Sequence, residues 1–253
     1  MADVLEFAPG GYRFVPSVFQ YSAGAAALPG YRIVRETFAK PVPVQRGFEM
    51  IAAHLTSAGV PLTRFCACEL RSPGQFTDAG FRAFNELYVV TLKRWGIMGD
   101  DDVNPVARSN VCPDIGAPPE PSFHAFSYVV EDHAASAPTA VISGGAEARG
   151  GAGPYAERIV RYDETSADAI AEKVLFVVDE MQRRLGLLGF GWADCSAVQA
   201  YSVRDFHHVM PAMAERGVLA KGLAWHYARP PVVGLEYEMD CRVVSEERVF
   251  GRR

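Results

Sequence analysis

An arginine near the end of the chain stands in a setting that suits the binding of a carboxylate. Arg229 follows the aromatic residues Trp225 and Tyr227 and precedes two prolines. A guanidinium binds a carboxylate through two parallel hydrogen bonds, and aromatic neighbours shield such a pair from water. We therefore expect Arg229 to hold a substrate carboxylate beside Trp225 and Tyr227. The alternative is an arginine in a structural ion pair at the surface.

The strand predicted after Arg229 offers a carboxylate for acid–base chemistry. Residues 233–243 alternate between apolar and polar side chains, a period of two that is typical of a half-buried strand. Glu238 shares the polar face with Glu236 and Asp240, and in a poorly solvated cleft these groups would raise one another's pKa. The pattern predicts either a general acid and base at Glu238 or an ordinary solvated face.

Neither a metal site nor a phosphate-binding loop is expected. His207 and His208 are adjacent, so they cannot easily face one metal ion together, and no third ligand has a suitable spacing. The glycine-rich residues 150–154 lead into strand-like residues 158–160 and not into a helix, whose N-terminus makes such loops bind phosphate. These residues are interpreted as a hairpin tip.

The residue pattern that must position these groups occurs twice. Ser22 and Ser143 are 121 residues apart, and so are Arg108 and Arg229. Between these anchors each half has a helix, a strand, a second helix and a closing strand, read from the hydrophobic periods. The predicted first helices end at Gly59 and Gly189, the second at Gly96 and Gly217, and the last strands cover 122–130 and 232–244.

The repeat predicts an α+β fold. We expect two tandem β-β-α-β-α-β units, residues 1–133 and 134–253, with the helices on one face of each sheet. Each unit is expected to begin with a hairpin around its Ser/Gly segment. The free face of each sheet then needs a partner.

Composition limits the function classes. The chain has 253 residues, 49% of them hydrophobic and 22% charged, as in soluble globular proteins and unlike disordered or fibrous ones. A net charge of −5 disfavours a nucleic-acid partner. No apolar run predicts a membrane span or a signal peptide, so a cytoplasmic location is expected. The five cysteines form no CxxC pair, which argues against a disulfide framework or a zinc finger.

Taken in order, the motifs resemble those of the RidA/YjgF enamine and imine deaminases, also called the L-PSP family, over nearly the whole chain. Residues 141–145 resemble the family's SG motif, and Asn85 to Tyr88 its N-x-x-Y. Residues 104–109, with Arg108, are similar to its P-A-R-S segment, and residues 229–240 to its closing strand. No single motif is very specific, and their order carries the resemblance.

The resemblance implies a chorismate-mutase-like fold, in which three units surround a barrel and active clefts lie between units. It also implies that no metal or organic cofactor takes part. In such a family Arg229 would hold the carboxylate and Glu238 would activate the hydrolytic water. The positions expected to bind substrate are Ser143, Gly144, Arg108, Asn85, Ser22, Trp225 and Tyr227.

The two halves depart from the family pattern in different ways. Met210 stands where the second half should have its helix asparagine, and Phe126 stands where the first half should have its glutamate. We therefore expect one composite cleft to be kept, with catalysis depending on Glu238. Phe14, Phe19 and Tyr21, near Ser22, are expected either to wall a small apolar pocket or, by default, to pack in the core.

The resemblance implies a hydrolytic enamine or imine deaminase that releases ammonia from an unsaturated amino acid such as 2-aminomuconate or 2-aminoacrylate. Two other functions stay open. One is a chorismatase-like or ring-opening hydrolase of the same fold, and the other is a non-catalytic small-metabolite sensor or interaction protein. Since one chain supplies two units and the family barrel needs three, a homotrimer is expected, with six units in two stacked rings.

Overall fold

Two β-sheets, each with helices on its outer face, make up the part of the chain that the structure describes. The structure is a computed structural model and describes residues 4–134, 137–151 and 153–251. The strands are β1 (Leu5–Phe7), β2 (Tyr12–Val15), β3 (Gly24–Ala27), β4 (Tyr31–Pro43), β5 (Phe65–Arg71), β6 (Ala107–Pro113), β7 (Ser122–Glu131), β8 (Ala140–Ala146), β9 (Ala197–Tyr201), β10 (Ala224–His226), β11 (Ala228–Arg229), β12 (Glu238–Val243) and β13 (Glu246–Phe250). The helices are α1 (Val44–Ser57), α2 (Asp78–Arg94), α3 (Tyr155–Arg158), α4 (Ala167–Leu187) and α5 (Met210–Glu215).

The first sheet has the strand order β11-β6-β5-β7-β4-β13. Helix α1 follows β4 and buries Phe48, Ile51 and Leu55, whose spacing of three and four residues puts them on one helix face. Helix α2 follows β5, and the Thr77 hydroxyl caps its start by accepting a hydrogen bond from the Gly80 N–H at 3.1 Å. Both helices pack on the same face of this sheet.

The second sheet has the strand order β1-β2-β3-β8-β12-β9-β10. Helix α4 packs on its outer face through residues that follow the predicted helical spacing, from Ile170 to Leu185. The short α5 adds Met213 to the same core. The predicted α+β class, with the helices of each sheet on one face, is confirmed.

Four strands of each sheet occur in the same relative order, but strands near each end of the chain belong to the sheet that the other half of the chain mainly forms. The shared orders are β6-β5-β7-β4 and β10-β9-β12-β8. Strands β1, β2 and β3 belong to the second sheet, and β11 and β13 belong to the first. The division into residues 1–133 and 134–253 stays a prediction, and sheet membership does not follow it at either end of the chain. The alanine-rich residues 131–138 are the linker that the sequence indicates between the units, and of these 135 and 136 lie outside the described residues.

Residues that are 121 positions apart lie in or next to neighbouring strands, and they do not occupy equivalent positions in two repeated units. Ser22 precedes β3, which pairs with the β8 strand that carries Ser143, and the Ser143 hydroxyl donates to the Ser22 carbonyl. Arg229 is in β11, which pairs with the β6 strand that carries Arg108. The expected hairpin at the start of the second unit is wrong for the same reason, because β8 is paired with β3 of the first half.

The inner faces of the two sheets pack on each other within one chain. The Tyr12 hydroxyl donates to the Phe65 carbonyl at 3.2 Å, in an apolar cluster that includes Ile33, Val129 and Val244. Each sheet therefore covers the other, and an open apolar sheet face is no longer an argument for a trimer. Among the described helices, none is both long enough and apolar enough to span a membrane.

Candidate active site

A cleft of about 460 Å³ lies where β6 of the first sheet meets β8 and β12 of the second. Both halves of the chain line it. Arg108 of β6 and Asn85 of α2 come from the first half, and Gly144 of β8 and Glu238 of β12 come from the second. These four residues were predicted to bind or transform substrate, and the structure brings them together.

Arg108 is buried at 2% exposure and held by its neighbours. Its Nη2 donates to Asn85 Oδ1 at 2.7 Å, and its guanidinium carbon lies 4.7 Å from the ring centre of Tyr88 and 5.2 Å from that of Tyr21. Arg108 Nη1 and Asn85 Nδ2 have no hydrogen-bond partner within the described part of the chain. Two buried donors without acceptors, one of them cationic, fit a carboxylate ligand.

Ser143 and Ser22 fix the strand that carries Arg108. The Ser143 hydroxyl accepts from the Arg108 backbone N–H at 3.0 Å and donates to the Ser22 carbonyl. The Ser22 N–H donates to the Val106 carbonyl at 2.9 Å, and its hydroxyl to the Pro105 carbonyl at 3.1 Å. Both serines therefore act on the backbone behind the cleft, and neither side chain is part of its lining.

Glu238 is the buried acid of the cleft, at 4% exposure. A β-carbon on Gly144 would overlap its Oε1 atom, so the carboxyl lies directly against that glycine. Burial, and then the negative charge of Asp240, raise the pKa of Glu238 well above its ordinary value, although Arg184 and Arg71 oppose the shift. Glu238 can therefore donate a proton at a pH where an exposed glutamate is ionised.

Asp240, two residues further along the same strand face, is tied into the interface between the sheets. It accepts from Ser109 at 2.6 Å, from Gln199 at 2.8 Å and from the Tyr201 hydroxyl at 3.0 Å. Burial and the charge of Glu69 raise the pKa of Asp240, against the hydrogen bonds from Ser109 and Gln199. With its oxygens bonded inside the protein, Asp240 acts on Glu238 through charge.

Arginines outnumber acids among the described lining residues, which makes the cleft suited to anions. Arg184 Nη1 donates to the carbonyls of Ser143 and Gly144 at 3.1 and 3.2 Å, and its Nε donates to Glu180 at 2.8 Å. Burial opposes ionisation of Glu180, but Arg183 and Arg184 outweigh it and lower the pKa of Glu180 to about 2. The other lining arginines are Arg82, Arg149 and Arg158.

Besides Ser22 and Ser143, three predicted site residues do not line the cleft. Arg229 pairs with Asp114 at 3.0 Å, and both side chains are about a third exposed. Trp225 and Tyr227 are 40% and 54% exposed and do not line the cleft. The expectation that Arg229 shares a cleft with Glu238 is wrong in this structure, because β11 crosses to the far end of β6 and pairs there with Cys112.

Phe126 does not occupy the position equivalent to Glu238. Its side chain packs between the first sheet and α1, against Phe38 and Tyr128. Phe126 is thus on the face of its sheet that the helices cover, whereas Glu238 is on the face of the second sheet that is turned toward the first sheet. Met210 begins α5 and packs against the second core.

Sequence reasoning missed several lining residues, above all Asn110, Arg184 and Tyr155. Asn110 follows Arg108 by two residues, so the period of a strand would have put both on one face. Of the three aromatic residues near Ser22, Phe19 and Tyr21 line the cleft, whereas Phe14 is buried in β2 and does not. Arg184 and Tyr155 give no such signal, because long-range packing alone brings them to the cleft.

No group of three or more histidine, cysteine or acidic side chains in the described ranges is arranged to hold a metal ion. His207 and His208 are both at the surface, where His207 bonds to Asp205 and His208 to the Ala167 carbonyl. The residues expected to form a hairpin tip, 150–154, include position 152, which is outside the described residues, and α3 follows them.

Comparison with known proteins points to one chemistry. A family model described as "2-aminomuconate deaminase CnbZ" matches residues 4–248. A 2-amino-5-chloromuconate deaminase of Comamonas testosteroni is 52% identical over 252 residues, which are 99% of this chain and 100% of that protein.

Two solved structures illustrate the more distant similarities. A chorismatase has 14% sequence identity and a TM-score of 0.49, over 88% of this chain and 77% of that chain. The YjgF gene product of E. coli has 14% identity and a TM-score of 0.32, over 43% of this chain and 81% of that chain.

Proposed function

Because this chain belongs to the 2-aminomuconate deaminase family, we propose that it hydrolyses a 2-aminomuconate-type dicarboxylate in the cleft between its sheets. Family membership makes it a hydrolytic deaminase that acts on an unsaturated amino acid. To this we add the roles of two residues. Arg108 binds the carboxylate next to the amino group, and Glu238 carries the protons.

One observation carries the assignment of roles: Arg108 and Glu238, from different halves of the chain, line the same cleft. The unpartnered Nη1 of Arg108 and Nδ2 of Asn85 offer a carboxylate two donors. Tyr21 and Tyr88 beside the guanidinium exclude water, which strengthens the ion pair that forms there.

A second carboxylate on the substrate is supported by the charge of the cleft. Arg149, Arg158 and Arg183 line it in addition to Arg108. 2-Aminoacrylate has one carboxylate, which Arg108 alone can bind, so it leaves these arginines unused. A muconate-type dianion can place one carboxylate on Arg108 and the other near these three arginines. The relative from Comamonas testosteroni is named for such a substrate.

The raised pKa of Glu238 supports a cycle that begins with the protonated acid. Glu238 gives its proton to the enamine carbon, which leaves an iminium ion and a carboxylate. The carboxylate takes a proton from water as the water oxygen bonds to the iminium carbon, and a carbinolamine forms. Glu238 then protonates the amino group, the C–N bond breaks, ammonia leaves, and the proton of the new carbonyl returns to Glu238.

Ammonia release from enzymatically generated 2-aminomuconate tests this function. The purified chain should release one ammonia and one 2-oxo dicarboxylate per substrate, and Arg108→Ala should lose most of that activity. A wild-type chain that turns over 2-aminoacrylate and leaves 2-aminomuconate unchanged would refute the dicarboxylate assignment.

The same assay separates the two other functions considered from the sequence. A chorismatase-like or ring-opening hydrolase would consume its substrate without releasing ammonia. A non-catalytic sensor would be stabilised against heat by the metabolite and would leave it intact. Membership of a deaminase family favours ammonia release over both outcomes.

The homotrimer and the cytoplasmic location stay predictions. Support for assembly is now limited to exposed apolar side chains, among them Ile115 at 80% and Val233 at 53% exposure. Light scattering should report about three times the chain mass of 27.6 kDa, and a mass equal to one chain would refute the trimer. Cell fractionation tests the location.

A further inference from the structure

Asn110 is a buried polar residue of the cleft wall that the cycle above does not use. It lies at 4% exposure in β6, and its Nδ2 has no hydrogen-bond partner among the residues the structure describes. A buried amide N–H without an acceptor destabilises the protein, because it has given up its hydrogen bond to water. An acceptor from outside the chain is therefore expected, and the cleft that Asn110 lines is where a ligand would supply it.

The other end of the same amide is already fixed. The Ser72 hydroxyl donates to Asn110 Oδ1 at 2.9 Å, and the Ser72 N–H donates to the Val111 carbonyl at 2.9 Å. Ser72 is fully buried. These hydrogen bonds hold the side-chain amide of Asn110 in one orientation, in which Nδ2 can donate to a ligand.

The position of Asn110 along β6 shows which part of a substrate it meets. Arg108, Asn110 and Cys112 alternate along one face of the strand, each about 6–7 Å from the next. A β-carbon on Gly144 would overlap Glu238 Oε1 and lie 3.2 Å from the α-carbon of Ser109, so the Glu238 carboxyl lies beside residue 109 of this strand. Arg108, Asn110 and Glu238 therefore line the same part of the cleft.

We propose that Asn110 Nδ2 donates a hydrogen bond to the oxygen atom that adds to the amino-bearing carbon of the substrate, first as water and then as the carbinolamine hydroxyl. In a 2-amino-2-enoate the carboxylate carbon is bonded directly to the carbon that bears nitrogen. With the carboxylate on Arg108, that carbon lies in the part of the cleft that Asn110 and Glu238 also line. The role rests on the proposed deaminase function.

The amide acts by position, without exchanging a proton. Water must present a lone pair to the iminium carbon while one of its protons goes to the Glu238 carboxylate. An N–H donor on the second lone pair holds the oxygen in place, and the bond persists as the oxygen becomes a hydroxyl. Removing one such donor from an active site costs roughly 10²–10³ in kcat when the donor stabilises the reacting oxygen.

Steady-state kinetics of Asn110→Ala and of the isosteric Asn110→Asp, which lacks the donor, test the proposal. We expect kcat for ammonia release to fall at least about tenfold in both variants, with KM changed less than about threefold. The loss in kcat is smaller than the roughly 10²–10³ seen for a donor to a reacting oxygen, because a second water can enter the space and take the place of the amide. Unchanged kcat, or a raised KM with intact kcat, would overturn the role, because the latter is the result for a carboxylate-binding residue.

A second readout separates water addition from protonation and from misfolding. In D₂O the hydrogen on the enamine carbon exchanges through Glu238 before any water adds. Asn110→Ala should keep this exchange while ammonia release slows, whereas an equal reduction of both would overturn the proposal. If the wild type itself released no ammonia, the proposed function would fail. If the wild type were active and substitution of Asn110 left kcat unchanged, only the role of Asn110 would fail.

Discussion

The carboxyl of Glu238 lies against the α-carbon of Gly144, in space that the β-carbon of any other residue would fill. The same β-carbon would also lie 3.2 Å from the α-carbon of Ser109 on β6, a backbone atom that cannot swing away. Glycine at 144 therefore lets the second sheet approach the first and leaves room for the acid.

We expect Gly144→Ala to displace the Glu238 carboxyl and to lower kcat/KM by about 100-fold, the scale of a displacement of about 1 Å at a reacting group. Circular dichroism should show an intact fold. Gly74→Ala is the matched control, since a β-carbon there meets nothing within 4 Å. Equal activity in the two variants would mean that the acid does not need this position.

Substitution of Arg108 should lower kcat/KM far more than substitution of Arg229. Arg108→Lys and Arg108→Ala should each lose about 2–5 kcal/mol of transition-state binding in kcat/KM, because a point charge does not replace a planar guanidinium that donates to Asn85 through Nη2 and offers Nη1 to the carboxylate. Arg229→Ala should lose less than about tenfold, since Arg229 pairs with Asp114 outside the cleft. Kinetics on one dicarboxylate substrate decide this, and a larger loss for Arg229 would contradict the site.

Glu238→Gln keeps the shape of the side chain and removes its proton chemistry. We expect kcat to fall by about two to four orders of magnitude. For the wild type, the first step needs the protonated acid, so kcat should decline as the pH rises through the raised pKa of Glu238. A variant that retained this decline would show that another group controls it.

The same residue should make stability depend on pH in a defined direction. Because the pKa of Glu238 in the folded protein is raised above its ordinary 4.5, the protonated form favours folding. Its stabilising contribution is complete below about pH 4.5 and is lost as the pH rises through the folded value. The Tm of Glu238→Gln relative to wild type should therefore increase over that window and then level off. A difference that stays constant with pH would argue against a buried, neutral acid.

Lys173 and Glu147 form a fully buried ion pair at 3.3 Å that holds the start of the strand bearing Glu238. Glu147 also accepts from the backbone N–H groups of Glu236 and Tyr237, at 2.6 and 3.1 Å. We expect Lys173→Met to destabilise the fold by about 3–5 kcal/mol, because it leaves a buried carboxylate without its cation. The double variant Lys173→Met/Glu147→Gln should recover much of that loss in urea unfolding. Additive losses in the double variant would show that the two groups are not coupled.

The parts of the site that the sequence predicted are those with a local signal. Glu238 was found because its strand alternates with a period of two, and Asn85 because residues 85–88 resemble the N-x-x-Y motif of the RidA/YjgF family. Arg229 was preferred to Arg108 because aromatic residues precede it in the sequence and the strand of Glu238 follows it. The 121-residue spacing was taken to make the two arginines equivalent in space. The spacing is equally compatible with two residues in neighbouring strands, and single-chain periodicity cannot distinguish these cases.

The fold class and the positions of the long helices were predictable from hydrophobic spacing, since each helix buries one face. The exchange of strands between the sheets was not. The first three strands join the second sheet through β3, which pairs with the strand that begins at residue 140. No property of either strand alone predicts this pairing. The packing of the two sheet faces on each other depends on that pairing and was missed with it.

The exchange of strands also affects how the chain is made. At about 5–20 residues per second, the ribbon formed by β1, β2 and β3 leaves the ribosome on the order of ten seconds before its partner β8 does. During that interval its hydrogen-bonding edge has no native strand to pair with. The first sheet waits longer still, because β13, made after every other described strand, pairs with β4. Neither sheet is complete until nearly the whole chain has been synthesised, so the two halves of the protein finish folding together.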